Sequence, residues 1–317
     1  MEYRYLGNSG TLVSVIGLGT NNFGRRLNSN DTKRVIDTAN DEGINFLDTS
    51  NSYGDTLSEE YIGNAIKNKR QEIILATKVY SKVGEGINEK GAGKVHIISE
   101  VENSLRRLQT DYIDLYQIHY WDENTPIEET LRALNYLIDS GKVRYIGCSN
   151  FTSWQLAMSL ESSKSNNFEK FITVQPEYSL LNRDIEAELI PACEYYNIGI
   201  LPYFPLASGA LTGKYKRGED LPEGTRLGEN KERAGEILTS DTFSLLESLE
   251  IFAKARNKSL LDLAFAWLLA NPLVSSVIAG ATKPEQVVAN ARTASWKLTK
   301  TEVNEVNDIL NLSLIHI

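Results

Sequence analysis

Four residues give the chain its first chemical suggestion. Asp48 ends the short strand-like run Asn45-Phe46-Leu47, and Tyr53 follows across the polar turn Thr49-Ser50-Asn51-Ser52, just ahead of Gly54. Lys78 closes Ile73-Ile74-Leu75-Ala76-Thr77, and His119 stands just past Ile113-Asp114-Leu115-Tyr116-Gln117-Ile118. A carboxylate, a phenol, an ammonium and an imidazole suit acid–base chemistry when a fold brings them to one point. Each also has a plainer explanation: a surface aspartate, a packing tyrosine, a lysine with its stem along apolar surface, a satisfied structural histidine. The lysine presses hardest against the plain reading. An ammonium ending a buried strand is costly without a counter-charge, and Asp48 is available.

The elements that must position these groups repeat along the chain. Arg4-Tyr5-Leu6-Gly7 and Leu12-Val13-Ser14-Val15, around Asn8-Ser9-Gly10, read as a small hairpin. Ile16 to Gly19 reads as a first buried strand. Helical patterns follow at 31–42, 58–68, 97–109, 126–140, 153–162, 184–196, 240–256 and 284–292. Short apolar strands fall at 44–48, 72–78, 112–117, 143–148, 171–176, 198–202 and 274–278, as parallel strands covered by helices should. Eight strand–helix units predict a (β/α)8 TIM barrel rather than a doubly wound sheet, and groups just past strand ends would then share one mouth. No Pro/Gly/Ser linker divides residues 1–317, so a single domain is expected. Two long connections, 79–96 and 203–239, both follow strands, which places them on that same face.

Composition narrows the class. Of 317 residues, 41% are hydrophobic and 24% charged, as in an ordinary soluble globular protein. A net charge of −9 with the two signs interspersed argues against nucleic acid or a membrane surface as partner. An anionic cofactor must therefore be held by local basic groups and backbone N–H donors. Cys148 and Cys193 lie in apolar contexts, which predicts buried thiols in a reducing, cytoplasmic setting and no metal site. There is no apolar signal segment and no apolar run long enough to span a bilayer. The chain begins almost directly at the expected barrel, which favours a free-standing enzyme, monomeric or homo-oligomeric. The tail from Leu312 to Ile317 has no evident role and reads as a frayed or cloning-derived end.

Longer motifs surround the four residues. They are Gly43-Ile44-Asn45-Phe46-Leu47-Asp48-Thr49-Ser50 with Tyr53-Gly54, Ala76-Thr77-Lys78, and Ser104-Leu105-Arg106-Arg107-Leu108 leading to Asp111-Tyr112-Ile113-Asp114-Leu115-Tyr116. His119 and Trp121-Asp122 come next, then Gly141-Lys142-Val143-Arg144-Tyr145-Ile146-Gly147-Cys148-Ser149-Asn150-Phe151 and Gly280-Ala281-Thr282-Lys283-Pro284-Glu285-Gln286. Across essentially the whole chain this resembles the aldo-keto reductases, in particular the branch with bacterial general reductases and the potassium-channel beta subunits.

That resemblance implies NADPH-dependent reduction of aldehydes or small ketones, with NADH the less favoured cofactor. Tyr53 would be the proton donor, its pKa of about 10 lowered by Lys78, with Asp48 holding the lysine and a neutral His119 orienting the carbonyl. Ser149, Asn150 and Gln175 match positions that hold the nicotinamide carboxamide, and Tyr203 matches the aromatic that stacks on its ring. Gly19, Thr20, Asn21 and Asp48 are expected beside the same cofactor. Phe204 stands where the family often has serine, ahead of Pro205. Leu206, Ser208, Gly209, Leu211, Gly213 and Lys214 form the matching loop over the pyrophosphate. Gly280, Thr282, Lys283, Gln286 and Asn290 match the adenosine end, with Thr282 and Lys283 suggesting a 2′-phosphate; many members carry arginine where Gln286 stands. For substrate, Asn22, Phe23, Tyr53, His119, Tyr120 and Trp121 predict a partly aromatic mouth. The same branch also implies an alternative: a redox-sensing subunit with slow chemistry in a larger complex. The glycines at 17 and 19 do not make the dinucleotide fingerprint of a doubly wound fold.

Overall fold

The chain is described from a computed structural model, in which residues 1–314 are placed. The hairpin forms from β1 (Tyr3–Tyr5) and β2 (Leu12–Ser14), antiparallel with Tyr3 opposite Ser14. Its Leu6 and Val13 pack against Phe46, Ala76, Leu115, Ile172, Leu201 and Ile278. On three strands those residues precede, by one side-chain alternation, the positions that face the mouth: Phe46 before Asp48, Ala76 before Lys78, Leu115 before Gln117. The hairpin therefore closes the barrel at the end opposite the mouth.

The barrel strands are β3 (Ile16–Gly19), β4 (Phe46–Asp48), β5 (Ile74–Val79), β6 (Ile113–Ile118), β7 (Val143–Ser149), β8 (Thr173–Gln175), β9 (Gly199–Ile200) and β10 (Val277–Gly280). All neighbours pair in parallel, in the order β10-β3-β4-β5-β6-β7-β8-β9. The seam between β9 and β10 is bridged by Ile200 with Val274 and by the Ile278 amide donating to the Pro202 carbonyl at 2.9 Å. The sheet thus curls into the expected (β/α)8 barrel. Short strands leave their polar residues at the C-terminal rim, where side chains no longer need a fully apolar neighbourhood.

The covering helices are α1 (Ser29–Asp41), α2 (Leu57–Ile66), α3 (Lys94–Leu108), α4 (Ile127–Asp139), α5 (Ser153–Asn166), α6 (Leu189–Tyr196), α7 (Lys231–Ile237), α8 (Ser240–Lys254), α9 (Leu260–Ala270), α10 (Pro284–Thr293) and α11 (Lys300–Leu314). Local chemistry starts and stops them. Thr152 with Gln155 and Ser259 with Asp262 form capping boxes, and Pro284 opens α10. Gln109, Asn167 and Asn197 end α3, α5 and α6 in the left-handed conformation. Three helices differ from the sequence reading, which has none at α7, α9 or α11. In α9 nearly every side chain is buried, so the apolar residues show no helical stripe. The expected strand at 274–278 lies at Val277–Gly280 instead, because Val274 is spent on the seam. Helix α11 takes in the first part of the C-terminal tail, and residues 315–317 of that tail lie outside the described residues.

Candidate active site

Strand ends bring the charged pair together. Lys78 is wholly buried and donates to Asp48 Oδ2 at 2.7 Å and to the Thr49 carbonyl at 2.8 Å. Asp48 Oδ1 accepts from Gln175 Nε2 at 2.9 Å and from Gln117 Nε2 at 3.2 Å. Burial opposes the Lys78 charge, but Asp48 and then Tyr53 offset it and leave the ammonium pKa above its ordinary value. Gln117 escaped the sequence reading. It lies in register with Lys78 and alternates inward after Leu115, a placement that only the folded sheet shows.

Tyr53 lies beside this pair, with Lys78 Nζ 5.2 Å from the centroid of its ring. Gly54 makes the turn possible. It has φ +58°, and a Cβ there would sit 2.4 Å from the Phe23 carbonyl oxygen. The phenol departs from expectation in one respect. Burial raises its pKa above the usual value, Lys78 draws it back and Asp48 opposes Lys78, so the net shift is upward. Tyr53 is thus a fully protonated donor at neutral pH, and Lys78 limits a rise that burial would otherwise enlarge.

His119 meets Tyr53 edge-on at 6.0 Å between ring centroids and stacks on Tyr120 at 4.7 Å. Burial, and then the Lys78 charge, push its pKa down to about 3, so the imidazole is neutral, as expected. Its Nδ1 lies 3.3 Å from the Ser50 hydroxyl. When Ser50 donates there, the ring proton sits on Nε2.

Asp48, Tyr53, His119 and Gln175 line a cavity of about 890 Å³, with Lys78 and Gln117 buried behind its wall. Its wall includes Asn22, Tyr53, His119 and Tyr120, together with Ser52 and Ser81, which the sequence reading did not include. Phe23 and Trp121 do not line it. Phe23 is fully buried in the main core, and Trp121 packs edge-on against Phe151 and Trp154 at 5.3 and 5.5 Å. Gly19, Thr20, Asn21 and Asp48 form another part of the wall, with Ser149, Asn150, Gln175 and Tyr203. Ser149 donates to the Gln175 carbonyl at 2.8 Å, and the Tyr203 hydroxyl donates to Asn150 Oδ1 at 2.8 Å. Since Gln175 Nε2 is committed to Asp48, its Oε1 is left as an acceptor for a ligand amide.

The long connection and the last strand–helix junction complete the cavity. Phe204, Pro205, Leu206, Ser208, Gly209 and Lys214 line it, as do Gly280, Thr282, Lys283, Gln286 and Asn290. Leu211 does not, being fully buried in the core, and Gly213 is likewise absent from the wall. Gln286 Oε1 accepts from the Thr282 amide at 2.7 Å and hydroxyl at 3.2 Å, so its Nε2 remains as a donor. Arg26 and Arg226 also line the wall and escaped the sequence reading, because nothing local marks them. Arg226 and Arg233 flank the Phe204 ring at 5.0 and 5.8 Å. Burial, and then Arg26, Arg25 and Arg233, press on the Arg226 charge and lower its pKa. Arg26 pairs with Glu229, tying the loop after β3 to the long connection.

Residues 15–311 match the Aldo/keto reductase family. The chain belongs to that family. Relatives of this aldo-keto reductase include the "Probable voltage-gated potassium channel subunit beta" of Oryza sativa subsp. japonica, 37% identical over 299 residues, or 92% of this chain and 90% of the relative. "Aldo-keto reductase YhdN" of Bacillus subtilis is 37% identical over 317 residues, covering 98% and 94%. "Uncharacterized oxidoreductase YrpG" of the same organism is 36% identical over 320 residues, covering 98% and 96%. The function of this aldo-keto reductase is accordingly of the oxidoreductase kind. Among the described residues, no helix is long and apolar enough to cross a membrane.

Proposed function

We propose that the chain reduces aldehydes or ketones to alcohols with NADPH, Tyr53 being the proton donor. The observation that carries this is a fully buried, charged Lys78 held by Asp48 against the ring of a protonated Tyr53, with a neutral His119 beside them. As negative charge builds on a carbonyl oxygen in the cavity, Tyr53 gives it a proton. Lys78 then stabilises the phenolate left behind, Asp48 keeps Lys78 charged and in place, and His119 donates to the same oxygen from Nε2.

The cavity's donor set fits a nicotinamide dinucleotide phosphate. Four cations line it, Arg26, which is paired with Glu229, and Lys214, Arg226 and Lys283, against the carboxylates Asp48, already paired with Lys78, and Glu223. In a chain of net charge −9, that local excess suits a polyanion. Ser149, Asn150 and Gln175 would hold the carboxamide, Tyr203 the ring, the 204–214 loop with Arg226 the pyrophosphate, and Lys283, Gln286 and Asn290 the adenosine end. When bound, the cofactor supplies the hydride. Turnover of a panel of aldehydes and ketones, run with NADPH and with NADH, tests the proposal. Turnover with NADPH supports it, and binding of neither cofactor overturns it.

A second reading draws on the relatives named as potassium-channel beta subunits: a redox-sensing subunit whose slow chemistry reports to a partner. A stoichiometric partner in a pull-down, with negligible aldehyde turnover, would favour it.

A further inference from the structure

Behind the mouth, on the outer face of β5, lies a set of charges that the proposed chemistry does not touch. Glu59, in the first turn of α2, is fully buried, and Glu100 on α3 is 1% exposed. Arg107 joins them, its Nε donating to Glu59 Oε2 at 2.7 Å and its other guanidinium nitrogen pairing with Glu100. The remaining Glu59 oxygen accepts from the Thr77 hydroxyl at 2.6 Å. Asn103 Nδ2 completes Glu100 at 3.0 Å.

Two carboxylates out of water around one guanidinium that is itself only partly buried are a poor way to gain stability. Apolar side chains of similar volume often do as well or better. What the ions supply is direction. Thr77 immediately precedes Lys78, so the strand turns one side chain out to Glu59 and the next in to Asp48. Helix α2 begins straight after the Tyr53 turn, and the Ser58 amide donates back to the Tyr53 carbonyl at 3.1 Å. Glu59 thus spans the two segments that carry the phenol and the ammonium. Arg107 holds it from behind, where α3 comes so close that a Cβ on Gly63 would sit 2.5 Å from the Arg107 carbonyl oxygen.

We propose that Glu59, through its hydrogen bond to Thr77, is a positioning residue that sets the separation between the Tyr53 phenol and the Lys78 ammonium. The inference rests on the proton-donor reading above. Glu59 touches no reacting atom and acts through β5. Loosening the bond lets the ammonium drift from the phenol, which weakens its pull on the phenol proton and raises the Tyr53 pKa further.

The test is a pair of variants at Thr77. Thr77→Val keeps the volume and loses the hydroxyl, whereas Thr77→Ser keeps the hydroxyl and loses the methyl. Single-turnover hydride transfer from NADPH is followed across pH, beside a melting curve and a cofactor titration. Thr77→Val should transfer hydride about tenfold more slowly, with NADPH affinity unchanged. The alkaline limb of its profile should move upward by about one pH unit. Thr77→Ser should restore both. A Thr77→Val protein that only melts earlier, with rate and limb unmoved, overturns the inference, and so does equal slowing in both variants. Tyr53→Phe is run alongside: if it transfers hydride normally, the donor reading fails and takes the inference with it. If it is crippled while Thr77→Val is unaffected, the inference fails alone.

Discussion

At the barrel mouth almost every polar group answers to another group of the protein. Lys78 is bonded to Asp48 and Thr49, Asp48 also to Gln117 and Gln175, and Asn150 to Ser149, His119 and Tyr203. Along the connection from 203 to 239 the arrangement is different. Arg226 rests on the face of Phe204 with other arginines near it, and Arg233 reaches the Ser208 hydroxyl at 3.3 Å. One region is finished before a ligand arrives. The other has as many acidic as basic residues but gathers Arg226 and Arg233 around one ring, the grouping proposed above to meet an anion. The difference follows from the work proposed for each: proton transfer requires fixed geometry, whereas holding phosphates requires charge and donors on a segment that can close.

The largest expected effect breaks the finished region. Lys78→Met keeps much of the stem and removes the charge, leaving the Tyr53 phenol under burial and an Asp48 without its partner, both of which raise its pKa. Hydride transfer should fall by roughly two or more orders of magnitude while NADPH still binds. Arginine at 78 should rescue poorly, because a planar fork does not reproduce a compact ammonium. Single-turnover rates beside a melting curve separate this from simple destabilisation. A Lys78→Met protein that melts early yet reacts at the normal rate would show that the lysine is only an anchor.

A smaller effect sharpens the comparison from the other side. Lys283→Ala should weaken NADPH by about 1–3 kcal/mol and leave NADH nearly unmoved, as loss of one charge-assisted contact to the 2′-phosphate would. Chemistry with saturating NADPH should be unchanged. Isothermal titration with both cofactors checks it, and equal losses for the two would remove Lys283 from the 2′-phosphate.

A third effect, with no bearing on the ligand, is on stability against pH. The folded His119 pKa, about 3, lies below its ordinary 6.5. As pH falls through the ordinary value, the unfolded chain takes up a proton that the folded chain refuses. This group's contribution is therefore fully present above 6.5 and is lost progressively as pH falls towards 3. The slope grows from about 0.7 kcal/mol per pH unit at pH 6.5 towards about 1.4 near pH 5, with the unfolded state binding the extra proton. Denaturant titrations between about pH 7 and pH 5 should show about 2 kcal/mol more loss of stability in the wild type than in His119→Gln. Identical slopes would mean that His119 is not held neutral.

The two regions also differ in how far they could be read without coordinates. Asp48, Lys78 and His119 stand at or just past the ends of short apolar runs, and a barrel gathers strand ends at one rim, so periodicity and order sufficed to bring them together. Gln117, Ser50 and Glu59 were missed because their roles depend on which face of an element they occupy and on a neighbour remote in sequence. Arg26, Arg226 and Arg233 carry no local pattern, and only the path of the long connection gathers them. Phe23, Trp121 and Leu211 fail the other way. They sit beside the right residues in sequence, but each turns its apolar side chain away from the cavity. Helix α9 was hidden by its own burial, since a helix surrounded by protein has no polar face to set a period.

The central claim is that Tyr53 delivers the proton in a reaction this cavity carries out with NADPH. Tyr53→Phe keeps the ring, its contact with His119 and its place beside Lys78, and removes only the hydroxyl with its acidic hydrogen. Fluorescence titration with NADPH and single-turnover oxidation of bound NADPH by an aldehyde, in the wild type and Tyr53→Phe, test it most directly. The account predicts unchanged NADPH affinity and a rate lower by roughly a hundredfold or more. A Tyr53→Phe protein that binds NADPH and reduces the aldehyde at close to the wild-type rate would contradict it.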